Sequence, residues 1–277
     1  IMVAYLEQKE RTDEALLAAT AKADRILNQI EEMAAANCTT MDIAYTPADL
    51  YKLKYQGKKA IMLGIENGYA IGKDIRNVAR FRKRGVVYMT LCHNGNNDIC
   101  GSARYNDQNL GVSPFGEQVI QEMNRTGMLV DISHAGENSF YDALAISRQP
   151  IVASHSSCRA LCNHPRNLTD EQLKALADKG GVAQVCLYSG FLRIDRQATI
   201  LDAIEHLNHM VNIMGIEHVG IGTDFDGDGG IIGCDSSSEL INFTRRLLHE
   251  RYSEEDIRLI WGGNFLRVME EVQNKPL

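Results

Sequence analysis

Two short apolar runs in this chain each close on a histidine: Met128-Leu129-Val130-Asp131-Ile132-Ser133-His134, and Pro150-Ile151-Val152-Ala153-Ser154-His155. Imidazole binds metals and exchanges protons near neutral pH, so a histidine placed where a β-type run stops is equipped for chemistry. Other runs stop in the same way. Glu66 follows Ile61-Met62-Leu63-Gly64-Ile65, His93 follows Tyr88-Met89-Thr90-Leu91-Cys92, and Tyr188 and Asp224 close two later runs. One or two ionisable strand ends are unremarkable, whereas six in one chain argue for a shared cleft. Singly, His134 and His155 read as hydrogen-bonded core histidines, and Glu66 as a buried ion-pair partner. Together, two imidazoles and a carboxylate form a nitrogen and oxygen donor set suited to Zn2+, and the absence of any Cys-x-x-Cys pair argues against a structural zinc knuckle.

Two further candidates leave alternatives open. His93 sits in the polar stretch Leu91-Cys92-His93-Asn94-Gly95-Asn96-Asn97, where it could be a ligand, an oxyanion donor or a loop residue. Arg166, in Asn163-His164-Pro165-Arg166-Asn167, could clamp a carboxylate through two parallel bonds or pair with a local acid. His206 and His209, three apart on a helical stretch, read as a solvated face. The segment Asp224-Phe225-Asp226-Gly227-Asp228-Gly229, with Asp235 in the twelfth position, imitates an EF-hand calcium loop. An EF-hand needs a preceding helix, and Val219-Gly220-Ile221-Gly222-Thr223 reads as a strand. Asp224 is therefore better placed to relay a proton.

The elements that must carry these groups alternate along the chain. Strands are expected over Ile1 to Leu6, Ala60 to Glu66, Val86 to His93, Met128 to His134, Ile151 to His155, Val182 to Tyr188 and Val219 to Asp224. Helical spacing covers Thr12 to Ala35, Asp74 to Arg84, Phe115 to Thr126, Thr169 to Lys179 and Thr199 to Met214. Gly85, Gly127, Gly181 and Gly215 stand where helices stop and strands begin. This rhythm predicts a single α/β domain over residues 1–277 with parallel strands, whose C-terminal ends share one rim in a (β/α) barrel. Seven strands are one fewer than the eight of a closed barrel.

Composition narrows the function. With 44% hydrophobic residues, 23% charged and five prolines among 277, the chain has material for a large core and no low-complexity tract. A net charge of −7 without a basic stripe argues against a nucleic-acid partner. No stretch reaches the roughly 20 apolar residues of a membrane span, and no signal-like segment opens the chain. A soluble, cytoplasmic chain is expected, with an upstream signal or anchor left open because the first residue is Ile1. The seven scattered cysteines read as buried free thiols of a reducing compartment.

The chain resembles the membrane dipeptidase (renal dipeptidase) family of zinc peptidases, amidohydrolase-like (β/α)8 TIM barrels. The likeness runs through Gly64-Ile65-Glu66-Asn67-Gly68, Tyr88 to Asn94, Ser113-Pro114-Phe115-Gly116, Glu122 to Met128, Asp131 to His134, Ser154 to Ser157, Pro165-Arg166-Asn167 and Gly220 to Gly227. The resemblance implies a dipeptidase in which Glu66 bridges two Zn2+ ions and His134 and His155 hold the second. It further implies that His93 polarises the carbonyl and stabilises the oxyanion, Arg166 binds the substrate's carboxylate and Asp224 shuttles the proton, with a metal-bridging hydroxide as nucleophile; Tyr188, as another polar strand end, is expected to line the substrate site with His93 and Arg166. Asp226 is the weaker candidate for the shuttle. The family's first strand ends in His-x-Asp, which supplies the other zinc's ligands, and no His-x-Asp occurs here. A βα unit spans roughly 30 residues, so the chain is expected to lack its first unit and its first metal site to be incomplete. A small dipeptide is the expected partner and a homodimer an expected assembly. Two other readings compete: an inactive protein binding peptides or amino-acid derivatives, and a hydrolase of another small amide or lactam.

Overall fold

Thr12 opens the first helix, α1 (Asp13–Ala36), by accepting the Ala15 N–H at 3.3 Å. Leu16, Leu27 and Ile30 bury on one face of it, as their spacing requires, while Ile26 and Met33 are half-buried. The computed structural model describes residues 1–7, 10–105 and 109–274. The chain divides into two units, Ile1–Pro150 with Met269–Leu277, and Ile151–Val268. Both are α/β with parallel strands.

In the first unit the strands are β1 (Met2–Tyr5), β2 (Met41–Ile43), β3 (Lys59–Ile61), β4 (Leu63–Glu66), β5 (Val86–Thr90) and β6 (Leu129–Asp131). β1, β4, β5 and β6 pair in that order, and their register sets Tyr5 opposite Glu66, Glu66 opposite Thr90, and Thr90 opposite Asp131. One row of polar and aromatic groups therefore crosses the ends of all four strands. β2 and β3 make a separate parallel pair that the sequence reading missed, together with the helix between them, α2 (Pro47–Tyr55). The run from Ala60 to Glu66 is accordingly two strands broken at Met62. At Gly64 a Cβ would lie 2.6 Å from the Tyr88 ring, so a larger residue there would have to displace that ring. The unit also holds the helices α3 (Arg76–Lys83), α4 (Pro114–Thr126) and α5 (Glu137–Ile146), the last unforeseen.

The second unit holds β7 (Val152–Ala153), β8 (Val182–Cys186) and β9 (Val219–Gly222), parallel and paired in that order. Capping boxes start α6 (Asp170–Asp178) at Thr169 with Gln172 and, after the short α7 (Ser189–Leu192), start α8 (Ile200–Met214) at Thr199 with Asp202. The glycine with positive φ after α6 is Gly180, at φ 80°, and not the expected Gly181.

Strands stop earlier than the apolar runs that announced them. Only Glu66 is itself a strand residue; His93, His134, His155, Tyr188 and Asp224 lie in the turns beyond. His134 (φ 69°) and Asp224 (φ 56°) adopt left-handed backbone, which no strand continues. Six cysteines are buried, Cys38 is exposed, and all seven are free thiols. Among the described residues no helix is long and apolar enough to cross a membrane.

Candidate active site

In the first unit, Glu66 Oε1 lies 3.3 Å from His134 Nε2. On its other side, His134 Nδ1 is 3.0 Å from Asn94 Oδ1. An amide oxygen only accepts, so Nδ1 carries the hydrogen and the Nε2 lone pair faces the carboxylate. Two lone-pair atoms at that distance repel unless a cation, a metal ion or a proton, joins them.

The His93 ring is 4.2 Å from that of His134, and Tyr5 meets His93 edge-on at 4.9 Å. Burial, with the charges of Glu66 and Glu7, raises the Tyr5 phenol above its ordinary range. A buried amide pair steadies this end of the unit. Asn97 Nδ2 donates to Asn67 Oδ1 at 3.0 Å and to the Leu91 carbonyl at 2.8 Å, while Asn67 Nδ2 donates to the Leu6 carbonyl at 2.9 Å. The turn after Glu66 and the loop after His93 are thereby fixed to each other.

In the second unit, His155 Nδ1 contacts Ser154 Oγ at 2.8 Å. A Cβ at Gly222 would fall 1.9 Å from the Ser154 carbonyl, so the end of β9 approaches this turn as only glycine permits. Arg166 is buried; its Nη2 donates to the His155 carbonyl at 3.2 Å, and its guanidinium stands 5.2 Å from the centre of the Phe191 ring. Tyr188 packs edge-on against the same ring at 4.7 Å. Burial raises the Asp224 carboxyl to about 6, against the opposing charge of Arg166 and with a contribution from Asp228 and Asp226. The Cys186 thiol contacts its Oδ2 at 3.7 Å. The segment after β9 is a single turn of 3₁₀ helix, Phe225–Gly227, entered from a strand, as the argument against an EF-hand requires.

The structure brings Glu66, His134 and His93 together in one unit and Arg166, Tyr188 and Asp224 together in the other. Glu66 and His134 in the first unit present a carboxylate oxygen and an imidazole nitrogen to each other, and His155 in the second unit brings another imidazole. Two imidazole nitrogens and a carboxylate oxygen fit an ion whose bonds are on the order of 2.0–2.2 Å, as zinc's are. His206 is corrected: it is buried in the core, accepts the Cys158 N–H at Nδ1 (3.0 Å) and donates from Nε2 to the Leu192 carbonyl (3.2 Å). His209 binds Asp170 at 2.7 Å. Asn94, Phe191 and Asn167 were missed as partners of site residues. Asn94 and Asn167 stand next to flagged residues in the sequence; Phe191 carried no signal beyond its hydrophobicity.

The solved structure of the probable dipeptidase PvdM of Pseudomonas aeruginosa matches with a TM-score of 0.90 at 28% identity, over 94% of this chain and 81% of that one. The family profile described as membrane dipeptidase, peptidase family M19, matches residues 1–276, and the chain belongs to that family. Dipeptidase tcpJ of Claviceps purpurea is 34% identical over 237 residues, which are 84% of this chain and 56% of that protein. An uncharacterized dipeptidase of Schizosaccharomyces pombe is 37% identical over 225 residues, 78% and 54% of the two chains. The chain thus spans little more than half the length of the curated relatives it matches.

Proposed function

We propose that this chain is the catalytic part of a metal-dependent dipeptidase with a (β/α)8-type barrel. The observation that carries the reading is the Glu66 and His134 pair, whose facing donor atoms call for a cation, in a chain of the membrane dipeptidase family; His155 is the further imidazole of the proposed donor set. Zinc is the ion that this set suits, and when bound it supplies Lewis-acid activation of water and of the scissile carbonyl.

The chain's own residues do the rest. Glu66, His134 and His155 hold the ion. His93, stacked beside His134, donates to the oxygen on which negative charge develops as the carbonyl is attacked. Arg166, buried and fixed over Phe191, receives the C-terminal carboxylate of the dipeptide, and Tyr188 borders the same place. Asp224, with a carboxyl raised to about 6, takes the proton from the attacking water and passes it to the departing amine. A free carboxylate near Arg166 would confine the enzyme to substrates that end close to the scissile bond.

The test is metal analysis of the purified chain together with hydrolysis of a small dipeptide panel. The reading expects Zn2+ bound by the intact chain and lost from His134→Ala, with turnover lost in parallel. Metal bound without turnover of any dipeptide would favour a binding protein. Turnover of other amides alone would redirect the substrate, and no retained metal would overturn the reading.

A further inference from the structure

Phe191 lies outside every motif of the family resemblance, yet three side chains converge on its ring. The Arg166 guanidinium is 5.2 Å from its centre, the His164 ring 4.7 Å and the Tyr188 ring 4.7 Å. Its backbone is held as firmly. Asn167, fully buried, donates from Nδ2 to the Phe191 carbonyl at 2.8 Å and to the Cys162 carbonyl at 2.9 Å, while its Oδ1 accepts the Ser157 N–H at 3.2 Å. One amide therefore ties both ends of the turn that carries Arg166 to the short helix that carries Phe191. Within that turn the Arg166 N–H donates to His164 Nδ1 at 3.1 Å, so the two residues that face the ring are fixed to each other.

We infer that Phe191 is a positioning residue, anchored by Asn167, that presents the Arg166 guanidinium to a carboxylate-terminated substrate. The inference rests on the reading of Arg166 as the carboxylate binder. A free arginine side chain loses rotamer entropy when it is fixed, and ordering it before binding removes that penalty from the binding step. A flat aromatic face also suits a guanidinium, since it leaves the N–H edge directed outward for a two-bond carboxylate pair. Phe191 touches neither substrate nor metal in this scheme; its effect on the carboxylate passes through Arg166.

The experiment compares a dipeptide with its C-terminal amide as substrates of the full chain supplied with Zn2+, in the unaltered protein, Phe191→Leu, Phe191→Tyr and Arg166→Gln. Losing the aromatic face should raise KM for the free acid roughly 5–10-fold in Phe191→Leu, with kcat within about twofold and KM for the amide unchanged. Phe191→Tyr keeps the ring and should restore most of the loss, which general damage to the fold would not allow. Equal changes for acid and amide, or an unchanged KM for the acid, overturn the inference. Arg166→Gln separates the two ideas. If it raises KM for the acid and Phe191→Leu does not, only the positioning role fails. If Arg166→Gln leaves the acid's KM unchanged, carboxylate binding by Arg166 fails, and with it this inference. Absence of turnover in the unaltered chain overturns both.

Discussion

Asn94 Oδ1 stands 3.0 Å from His134 Nδ1, and this contact decides that Nε2 is the nitrogen His134 turns toward Glu66. Partners of this kind orient a metal ligand and raise its basicity, and losing one typically lowers metal affinity about 10–100-fold. Asn94→Ala should weaken zinc binding by that amount, whereas Asn94→Asp, which keeps an acceptor, should not. Competition with a chromophoric chelator measures both. Equal affinity in Asn94→Ala and the unaltered chain would show that the tautomer is set elsewhere.

Asp224 carries the raised carboxyl of the second unit, about 6 against the ordinary 3.8. Its folded-state value lies above the unfolded one, so its contribution to stability is full below about 3.8 and is lost as pH rises through about 6. A shift of about two units corresponds to about 3 kcal/mol held against the metal-stripped fold at neutral pH. Asp224→Asn should therefore unfold at higher urea than the unaltered chain at pH 7.5, with no advantage at pH 4, while hydrolysis disappears. In the unaltered chain activity should decline as pH falls through about 6, because a protonated carboxyl cannot accept the water's proton. A variant that is less stable at pH 7.5 would contradict this account.

His206 works in the opposite sense. Burial, against the Leu192 carbonyl bond, lowers it to about 4 from 6.5. Its contribution is complete above about 6.5 and fades as pH falls toward 4, by about 3 kcal/mol over that window. His206→Ala also strands the Cys158 N–H and the Leu192 carbonyl in the core, a loss of about 2–4 kcal/mol at pH 7. Urea titrations at pH 7 and pH 5 should show a smaller pH dependence in His206→Ala than in the unaltered chain. The same pH dependence in both would place the acid sensitivity in another group.

Asn97 offers a test of the other unit. Its amide donates to Asn67 Oδ1 and the Leu91 carbonyl and accepts the N–H groups of Ile99 and Cys100. Asn97→Leu leaves these buried groups without partners and should reduce stability by about 2–4 kcal/mol, measured by denaturant unfolding at pH 7. Loss of metal affinity should accompany it, because the loop after His93 also carries Asn94. Unaltered stability would mean that water replaces the amide.

The polar groups that follow the strands were legible because a parallel strand delivers them just past its last residue, and a β-type run that stops on a histidine records that in one dimension. Residues that complete the site were not legible for an equally physical reason. Asn94 and Asn167 act through side-chain bonds to distant partners, and a polar residue in a loop looks the same in sequence whether or not such bonds exist. His206 failed differently: helical spacing placed it correctly beside His209, but only tertiary packing of α8 determines that one is buried and the other half-exposed. The pair β2 and β3 was missed because three-residue strands contain too little alternation to register a period.

The approach of Gly222 to the Ser154 carbonyl leaves β9 no room for any side chain at that point. A single added carbon there would displace the backbone that bears His155 before any substrate felt it. Diversification of what this scaffold accepts must therefore run through the turns that follow the strands, while the strand itself stays closed to experiment by natural variation.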